Sequence, residues 1–435
     1  MMLGGGSFTT QNKVLPGAYI NFVSVARADA TLSDRGICAI PMELNWGIDG
    51  EVFTVENSDF EKNSLKIFGY SYDADEVLNI REVFKHAMTL HVFRLNSGEK
   101  ATNAYATALY SGTRGNDLKI IINVNADDQA KFDVITYLAT SKVDTQTVAS
   151  AVDLVANSYV TFITTATLAA TAGIALEGGT NLVTITGTEY QTALDKLESY
   201  SFNTLGCLST TEQIKALFVA YTKRMRDEVG AKFQTVIYNY AADYEGIINV
   251  KNKVSDSGMP ECSAIYWVVG AEAGCAVNKS NTNLIYDGEY TIDVNYKQSE
   301  LVTAIVAGKF VFHKVGTEVR VLEDINSFTS FVMDKNSDFS LNQVIRILDQ
   351  IGNDIAVLFN TRYLGKIQNN EAGRVSFWND IVTYNKELET LTAIENFKSE
   401  DVVVQKGNDK RSVVVTNAVQ PVCAMEKLYM TVMAS

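Results

Sequence analysis

The chain has 435 residues and a formal net charge of −14, and its sequence is 46% hydrophobic and 20% charged. This composition permits a substantial hydrophobic core and excludes global disorder, and the length predicts two to four domains. The acidic balance argues against direct binding of nucleic acid, because that requires concentrated Lys and Arg to replace phosphate counterions. It suits a protein whose copies stay dispersed before they assemble.

The sequence predicts neither a membrane span nor a disulfide framework. It contains no run of about 18 apolar residues, and the Gly-rich stretch from Met1 to Thr10 lacks the basic and apolar regions of a secretory signal. The cysteines are odd in number and have no CxxC spacing, which indicates small buried residues of a reducing compartment. They are Cys38, Cys207, Cys262, Cys275 and Cys423.

A flexible leader, residues 1–13, precedes a predicted extended arm from Val14 to Val25. Ala18, Ile20 and Phe22 share one face of this arm at period two. An α/β layer follows, because predicted strands and helices alternate. Its elements are a strand from Gly36 to Met42, helices from Ser58 to Phe68 and from Asp75 to Ala87, and a strand from Leu90 to Leu95.

Between about Gly98 and Gly187 the chain is rich in Thr, Val, Ala and Asn. Short strands separated by turn residues predict an all-β module inserted into the first domain. The predicted strands are Ala104–Tyr110, Leu118–Val124, Phe132–Thr140, Tyr159–Thr164 and Leu182–Ile185.

Helical periodicity then returns, and the alternation of strands and helices resumes. Thr210 to Gln213 has the spacing of a capping box, and it opens a predicted helix whose apolar stripe extends to Met225. The other predicted helices are Glu189–Tyr200, Glu261–Ala273 and Ser299–Ala307, and the predicted strands are Phe202–Cys207, Phe233–Tyr238, Phe310–Lys314 and Val319–Leu322.

The C-terminal part predicts two helices and a hairpin. Ser340 to Gln343 has the spacing of a second capping box, and the helix after it ends at Gly365. A second helix covers Arg374 to Thr390. Two β-branched runs, Val402 to Gln405 and Arg411 to Val415, flank a polar turn and predict the hairpin.

The last run, Val422 to Met433, has the period-two pattern of a strand. Its N–H and C=O groups need partners, and an open apolar edge invites another strand. Two interpretations stay open from the pattern alone. The run either closes a sheet within its own domain or is donated to a neighbouring subunit.

The sequence carries no credible catalytic site. His86, His91 and His313 stand apart and outside metal-ligand spacings, so we interpret them as structural. No GxSxG motif occurs, and Gly270 to Ser280 lacks the glycine spacing of a phosphate-binding loop. We therefore predict no enzyme activity, no cofactor and no metal site.

Charged clusters are interpreted mainly as solvated surface. The acidic pairs Asp127-Asp128 and Glu323-Asp324 lie in turn-like contexts. Lys223, Arg224 and Arg226 form a basic cluster on one predicted helix, for which an acidic partner is the alternative.

Short motifs along nearly the whole chain resemble those of contractile tail sheath proteins from myovirus-type phages and phage-tail-like bacteriocins. Each motif is weak alone, and their order and spacing carry the resemblance; Ala18 departs mildly from the Val that is frequent there. They are Leu15-Pro16-Gly17-Ala18-Tyr19, Thr113-Arg114-Gly115-Asn116-Asp117-Leu118, Leu176-Glu177-Gly178-Gly179-Thr180-Asn181, Val319-Arg320-Val321-Leu322-Glu323-Asp324-Ile325-Asn326, Tyr363-Leu364-Gly365-Lys366 with Asn369, Asn370, Gly373 and Arg374, and Met425-Glu426-Lys427-Leu428-Tyr429-Met430.

The resemblance implies a structural subunit that polymerises as stacked six-fold rings around an inner tube. The sheath would then contract and drive the tube through a target cell envelope. The implied partners are other copies of the chain, the tail tube protein, and baseplate and tail terminator proteins, without direct nucleic-acid contact or membrane insertion. The implied location is a virion or phage-tail-like particle assembled in the cytoplasm of a bacterial host.

The resemblance also implies that both termini donate strands to neighbouring copies. The N-terminal strand would comprise Leu15, Pro16, Gly17, Ala18, Tyr19, Ile20 and Phe22, the C-terminal strand Leu428, Tyr429, Met430, Thr431, Val432 and Met433, and the acceptor hairpin Val402, Val403, Val404, Val413, Val414 and Val415. Arg362, Lys366 and Arg374 are candidates for facing the tube. Capping of helix-end carbonyls or a surface ion pair is the alternative for these three.

We therefore expect an α+β multidomain fold. Its expected parts are an N-terminal arm (1–25), an α/β sandwich core (26–97 with 188–335), an inserted all-β outer domain (98–187), a C-terminal α+β sheath domain (336–419) and a C-terminal arm (420–435). A different self-assembling shell protein and an α/β hydrolase with an unrecognised site remain as alternatives. The terminal strands favour assembly, because an enzyme has no need of them.

Overall fold

The computed structural model of the chain describes residues 32–434 and the backbone of residues 5–6 and 18–19. In the N-terminal region, strand β1 (Gly5–Gly6) pairs in parallel with β2 (Ala18–Tyr19). The rest of the predicted N-terminal arm lies outside the described residues. From residue 33 on, the chain divides into two units. The large unit comprises Ser33–Asn353, Leu388–Phe397 and residues 419–434, and the small unit comprises Asp354–Glu387 and Lys398–Ala418.

The large unit begins with the predicted alternation of strands and helices. Its first elements are β3 (Ile37–Met42), β4 (Val52–Glu56), α1 (Asn57–Phe68), α2 (Leu78–Phe84) and β5 (Thr89–Arg94). The two predicted strands and two predicted helices are confirmed. Strand β4 was not predicted, although its alternation of buried and exposed residues is typical of an edge strand.

An antiparallel β module follows, with its own core. Its strands are β6 (Ala106–Ala108), β7 (Leu118–Val124), β8 (Phe132–Leu138), β9 (Ser141–Val148), β10 (Val160–Phe162) and β11 (Thr171–Ala175). The order β11-β7-β8-β9 forms one sheet, and β6 pairs with β10. Four predicted strands are confirmed. The predicted strand Leu182–Ile185 is wrong, since these residues form no strand and Val183 is 95% exposed.

The chain then completes the α/β layer. The elements are α3 (Gly187–Leu197), β12 (Thr204–Cys207), α4 (Glu212–Lys223), β13 (Gln234–Tyr238), β14 (Ile247–Val250), α5 (Ala264–Gly274), α6 (Gln298–Val306), β15 (Lys309–Phe310), β16 (Phe312–Val315) and β17 (Glu318–Val321). Strand β14 was not predicted, and the single predicted strand Phe310–Lys314 divides into β15, which pairs with β14, and β16, which pairs with β17. The predicted capping box is misplaced: the hydroxyl of Thr186 and the carboxylate of Glu189 form one at α3, whereas Thr211 precedes α4 without a side-chain cap.

Seven of these strands form one sheet in the order β15-β14-β13-β12-β3-β5-β4. Neighbouring strands are parallel, except for β4, which runs antiparallel to β5. Apolar side chains of α1, α2 and α5 cover one face, and those of α3 and α4 cover the other. Strands buried on both faces explain the short apolar runs that the sequence shows here.

Glycines let helix α5 pack closely on the end of α2. A Cβ atom on Gly270 would lie 2.2 Å from the carbonyl oxygen of Val83, and one on Gly274 would lie 2.1 Å from that of His86. The close approach of the two backbones therefore explains both glycines. They belong to the stretch from Gly270 to Ser280, whose glycine spacing does not fit a phosphate-binding loop.

The last elements are α7 (Asn342–Leu358), α8 (Glu371–Thr390), β18 (Val402–Lys406) and β19 (Val413–Asn417). Both helices and the hairpin are confirmed. The proposed cap at Ser340 is not what the structure shows, because helix α7 begins at Asn342 and the hydroxyl of Ser340 donates to the carbonyl of Ser337 at 2.7 Å. A π-helical turn, Phe359–Tyr363, follows α7.

We predict that Gly274→Ala destabilises the protein by about 1–3 kcal/mol, because overpacking forces helices α5 and α2 apart. Gly352→Ala is the matched control: the nearest atom to its added Cβ lies 3.5 Å away, and alanine favours a helix over glycine by about 1 kcal/mol. Urea unfolding monitored by circular dichroism measures both. Equal stability of the two variants would contradict the proposed contact.

Candidate assembly surfaces

The C-terminal segment from Val422 forms no helix or strand within the described residues. Its start is held in the large unit, where the amide of Ala424 donates to Gln343 Oε1 at 3.0 Å and Thr282 Oγ1 donates to Glu426 Oε1 at 2.6 Å. The predicted strand Val422–Met433 is therefore not formed here, because no strand of the described chain pairs with it.

Beyond Glu426 the segment exposes large apolar side chains. The exposed set is Leu428 (85%), Tyr429 (90%), Met430 (72%), Val432 (78%) and Met433 (91%). Burying a side chain of this size is worth about 1.5–3 kcal/mol, so the set could contribute on the order of 10 kcal/mol to an interface. A backbone that pairs with no described strand, together with exposed apolar side chains, gives the segment the properties of a strand without a sheet.

The hairpin β18–β19 forms a two-stranded sheet in the small unit. Two groups of the small unit hold its strands: Trp378 Nε1 donates to the carbonyl of Val402 at 2.9 Å, and Asn385 Nδ2 donates to Asn417 Oδ1 at 2.7 Å. Val403 and Val414 are exposed, whereas Val402 is buried. A two-stranded hairpin is marginal by itself, and the outer edges of this one have no strand partner in the described chain.

Each candidate tube-facing residue makes a contact within the small unit. Arg362 Nη1 donates to Asp380 Oδ1 at 2.9 Å, Lys366 Nζ donates to the carbonyl of Thr361 at 2.6 Å, and Arg374 Nη1 donates to the carbonyl of Asn369 at 3.2 Å. Arg362 forms a surface pair and Lys366 a helix-end contact, as in the alternative interpretation, whereas Arg374 contacts a loop carbonyl before α8. These contacts within one copy do not test whether the three residues face a tube, so that contact stays a prediction.

A buried ionic cluster anchors the start of α7 in the large unit. Arg346 Nη2 lies 2.7 Å from Glu272 Oε2 and 3.1 Å from Asp324 Oδ2, and all three side chains are 1% exposed. Asn281 Nδ2 donates to Glu272 and Asn342 Nδ2 donates to Asp324. The interpretation of Glu323-Asp324 as solvated surface is therefore wrong for Asp324.

The two carboxyl groups of this cluster titrate in opposite directions. Burial raises the pKa of Glu272 to about 8, the Asp324 carboxylate adds to this shift, and Arg346 opposes it. Burial also disfavours the charge on Asp324, but the Arg346 guanidinium and the hydrogen bonds from Glu272, Asn281 and Asn342 together outweigh burial, so the pKa of Asp324 is lowered. Glu272 therefore holds the proton of the pair near neutral pH.

A second buried ion pair corrects the interpretation of the basic cluster. Arg226 contacts Asp349 of α7 through two hydrogen bonds of 2.5 and 2.7 Å, and Arg226 is 5% exposed. Arg226 lies in a π-helical turn, Arg224–Val229. Lys223 is exposed, and Arg224 makes a surface pair with Glu198, so the solvated interpretation applies to those two.

The histidines have structural surroundings. His91 Nδ1 lies 2.9 Å from Thr54 Oγ1, and burial lowers the pKa of His91. His86 contacts Asp287 and packs edge-on against Trp267. Within residues 32–434 no three His, Cys, Asp or Glu side chains are grouped to hold a metal ion, and no helix is long and apolar enough to cross a membrane.

Four cysteines are buried, as predicted: Cys38, Cys207, Cys262 and Cys275. The prediction is wrong for Cys423, which is exposed. Cys423 lies at the start of the C-terminal segment, whose apolar residues are also exposed in the described structure.

Comparison with known families accounts for this arrangement. Models of four tail sheath regions match successive parts of the chain: the tail sheath protein Gp18 domain III N-terminal region (35–95), the phage tail sheath protein beta-sandwich domain (96–181), the phage tail sheath protein central domain (184–327) and the phage tail sheath C-terminal domain (334–435). The phage-like element PBSX protein XkdK of Bacillus subtilis is 36% identical, with 99% of each chain covered. The chain belongs to the phage tail sheath protein family.

Solved structures agree with this assignment. The crystal structure of the sheath tail protein from Desulfitobacterium hafniense is 38% identical and superposes with a TM-score of 0.83, covering 95% of this sheath protein and 99% of that chain. The contracted helical sheath of the anti-feeding prophage shares the fold at 11% identity, with a TM-score of 0.56 and coverage of 97% and 99%. The predicted α+β multidomain fold and the family resemblance are confirmed. The family is one of structural proteins and is not an enzyme family.

We predict that the unfolding free energy of this sheath protein falls as pH rises from about 5 to 8. Between its unfolded and folded pKa values, a carboxyl such as Glu272 is protonated in the folded protein and ionised in the unfolded protein. Unfolding therefore releases a proton over this range, and the free energy of unfolding falls as pH rises until it passes the folded pKa. At 1.36 kcal/mol per unit the change is on the order of a few kcal/mol. Glu272→Gln should flatten this pH dependence, as measured by urea unfolding between pH 5 and 9.

Glu61→Gln, which replaces an exposed carboxylate on α1, is the control and should keep the wild-type pH dependence. An unchanged slope in Glu272→Gln would show that the proton resides elsewhere.

Proposed function

We propose that the protein is the sheath subunit of a contractile phage tail or tail-like particle, and that its copies stack as six-fold rings around an inner tube. The sheath contracts and drives the tube through a target cell envelope. The observation that carries the proposal is the C-terminal segment, whose apolar residues from Leu428 to Met433 are exposed and whose backbone has no strand partner in the described chain.

Strand donation is the physical basis of the proposed mesh. A donated strand is held by main-chain hydrogen bonds, and alternating side chains fix its register. The C-terminal strand (Leu428, Tyr429, Met430, Thr431, Val432 and Met433) and the N-terminal strand (Leu15, Pro16, Gly17, Ala18, Tyr19, Ile20 and Phe22) then add to the β18–β19 hairpins of neighbouring copies. The edges of β18–β19 support this role, because neither outer edge pairs with another strand of the described chain.

Contraction requires contacts that can be exchanged while the copies stay linked. Rotation of rigid bodies about an interface is one such switching mode. The terminal arms act as the permanent links, and the surfaces of the folded units supply the contacts that change. The shared fold with the contracted sheath of the anti-feeding prophage supports a contracting assembly.

We propose the following organisation: an N-terminal arm (1–25), an α/β core (26–97 with 188–335), a β-rich outer domain (98–187), a C-terminal sheath domain (336–419) and a C-terminal arm (420–435). The partners are other copies of the chain, the inner tube protein, and baseplate and tail terminator proteins. The sheath surrounds the tube and does not touch nucleic acid, consistent with the net charge of −14. The particle assembles in the cytoplasm of a bacterial host.

We predict that deleting residues 428–435 abolishes long sheaths and leaves the folded units intact. The thermal unfolding midpoint should match the wild type, because the side chains from Leu428 to Met433 are exposed and contribute little within one copy. Negative-stain microscopy measures sheath length, and circular dichroism checks the fold. Sheaths of normal length from the truncated protein would refute strand donation by this segment.

We also predict that Lys366→Glu with Arg374→Glu weakens co-assembly with the tube protein more than it weakens contacts between sheath subunits. Lys131→Glu with Lys142→Glu, at exposed positions of the β module, gives the same change in net charge and is the control. Co-sedimentation with preformed tubes measures the effect. If both double variants bind tubes like the wild type, these residues do not face the tube.

A further inference from the structure

An aromatic pocket lies in the small unit, lined by residues that follow helix α7, by residues of α8 and by residues of the hairpin. It has a volume of about 100 Å³, and three aromatic rings line it. The ring centre of Phe377 lies 4.7 Å from that of Tyr363 and 5.5 Å from that of Phe359. Phe377 and Tyr363 are buried, and the hydroxyl of Tyr363 donates to Asp380 of α8. Contacts within one copy therefore hold the rings in place and form the pocket.

The aromatic pocket lies beside the outer edge of strand β19. Val413 of β19 lines it, whereas Lys406, the β18 residue that pairs with Val413, is absent from its described lining. Asn369, which also lines the pocket, donates through Nδ2 to the carbonyl of Ser412 at 2.8 Å and to that of Lys410 at 3.2 Å. One wall of the pocket is therefore bonded to the start of β19. Since no strand of the described chain pairs with this edge, a strand that added to it would pass the mouth of the pocket.

One face of the C-terminal segment matches the face of β19 that carries the pocket. Val413 and Val415 share that face and are partly buried. Successive side chains of a strand point to opposite faces of a sheet, so every second side chain of an added strand would lie on the Val413 side. Leu428, Met430 and Val432 have this spacing, and all three are exposed in their own copy. The segment thus supplies an apolar face that a position beside β19 would bury.

Met430 is the residue of this face that suits the aromatic pocket. An apolar cavity of about 150 Å³ holds a benzene molecule, so a pocket of about 100 Å³ is narrow for an aromatic side chain. Methionine is unbranched and flexible, and its sulfur makes favourable contacts with aromatic rings at about 5 Å. The three rings of the pocket offer such contacts.

We propose that the C-terminal segment of a neighbouring copy adds to the outer edge of β19 and inserts Met430 into the aromatic pocket. A side chain seated in a pocket fixes the register of a donated strand, because a slip by one residue would turn Met430 to the opposite face. This inference rests on the proposed strand donation. It deepens that proposal by assigning the C-terminal strand to one edge of the hairpin and by naming the residue that sets its register.

Cross-linking in assembled sheaths tests the contact. In a Cys423→Ser background, one variant carries Ile367→Cys with Met430→Cys, because Ile367 lines the pocket and is 46% exposed. The matched control carries Ile367→Cys with Tyr429→Cys, which moves the second thiol to the opposite face of the strand. Diamide oxidises two neighbouring thiols to a disulfide, and a non-reducing gel separates cross-linked dimers from single chains. We expect at least ten times more dimer from the Met430→Cys variant than from the control.

Charge substitution is a second measurement, and it does not depend on cysteine chemistry. Met430→Asp would place a carboxylate without a partner among three aromatic rings, so we expect sheath yield in negative-stain microscopy to fall at least tenfold. Met333→Asp makes the same change at a methionine of the large unit that is 99% exposed, and it should assemble like the wild type. Circular dichroism and thermal unfolding check that each variant is folded.

The outcomes separate this inference from the proposed function. If sheaths form and the Met430→Cys variant gives no more dimer than its control, or if Met430→Asp assembles normally, the pocket contact is refuted and the sheath function stands. A disulfide within one chain would refute the contact by showing that the segment folds back onto its own hairpin. More dimer from Ile20→Cys with Ile367→Cys would also refute it, because the N-terminal strand would then occupy the pocket. If wild-type protein forms no sheath, the proposed function fails and this inference fails with it.

Discussion

Unpaired main-chain groups at strand edges are the constraint on which this structure depends. The faces of the seven-stranded sheet are covered by helices of the same copy, so the hydrophobic cores are complete within one chain. Edges are different, because a sheet that does not close into a barrel always ends in two open rows of N–H and C=O groups. Strand β4, the β18–β19 hairpin and the segment after Glu426 each have an edge that no other strand of the described chain pairs with. The surfaces left for other copies are therefore mostly edges.

The buried charges have a different role, which is to hold the start of helix α7 in the large unit. Arg346 and Arg226 each pair with carboxylates in the interior. Buried ion pairs add little net stability, but removing one partner costs about 3–5 kcal/mol because a charge is left unpaired. Such pairs penalise alternative registers of the helix more strongly than an apolar contact would. In the proposed contracting assembly, a fixed register would keep the geometry of successive copies the same.

Much of the fold could be predicted from the sequence, and the exceptions have physical reasons. Buried strands such as Ile37–Met42 are apolar runs, and helix α8 has enough length to be recognised. Strand β9 escaped prediction because its residues are mostly polar, whereas the short apolar strand β14 was not recognised. Residues 182–185 have a high β propensity but no neighbouring strand to pair with, and they form no strand. Pairing with a neighbour is therefore needed in addition to propensity.

The candidate surfaces were predicted less completely. Periodicity identified the hairpin and the C-terminal segment, because both depend on local patterns. It could not identify Arg346 or Arg226 as buried, since their partners Glu272 and Asp349 lie 74 and 123 residues away. The sequence offers a weak signal for Arg226 alone, because Arg226 directly follows Met225, the last residue of the apolar stripe in the predicted helix.

The placement of the cysteines has a practical consequence. Four thiols are buried, and Cys423 is exposed just before the chain enters its unpaired C-terminal segment. A maleimide dye would therefore modify the native protein mainly at the root of this segment, without any engineered residue. Fluorescence from such a label would follow the surroundings of the segment as copies join, and would give assembly kinetics in real time.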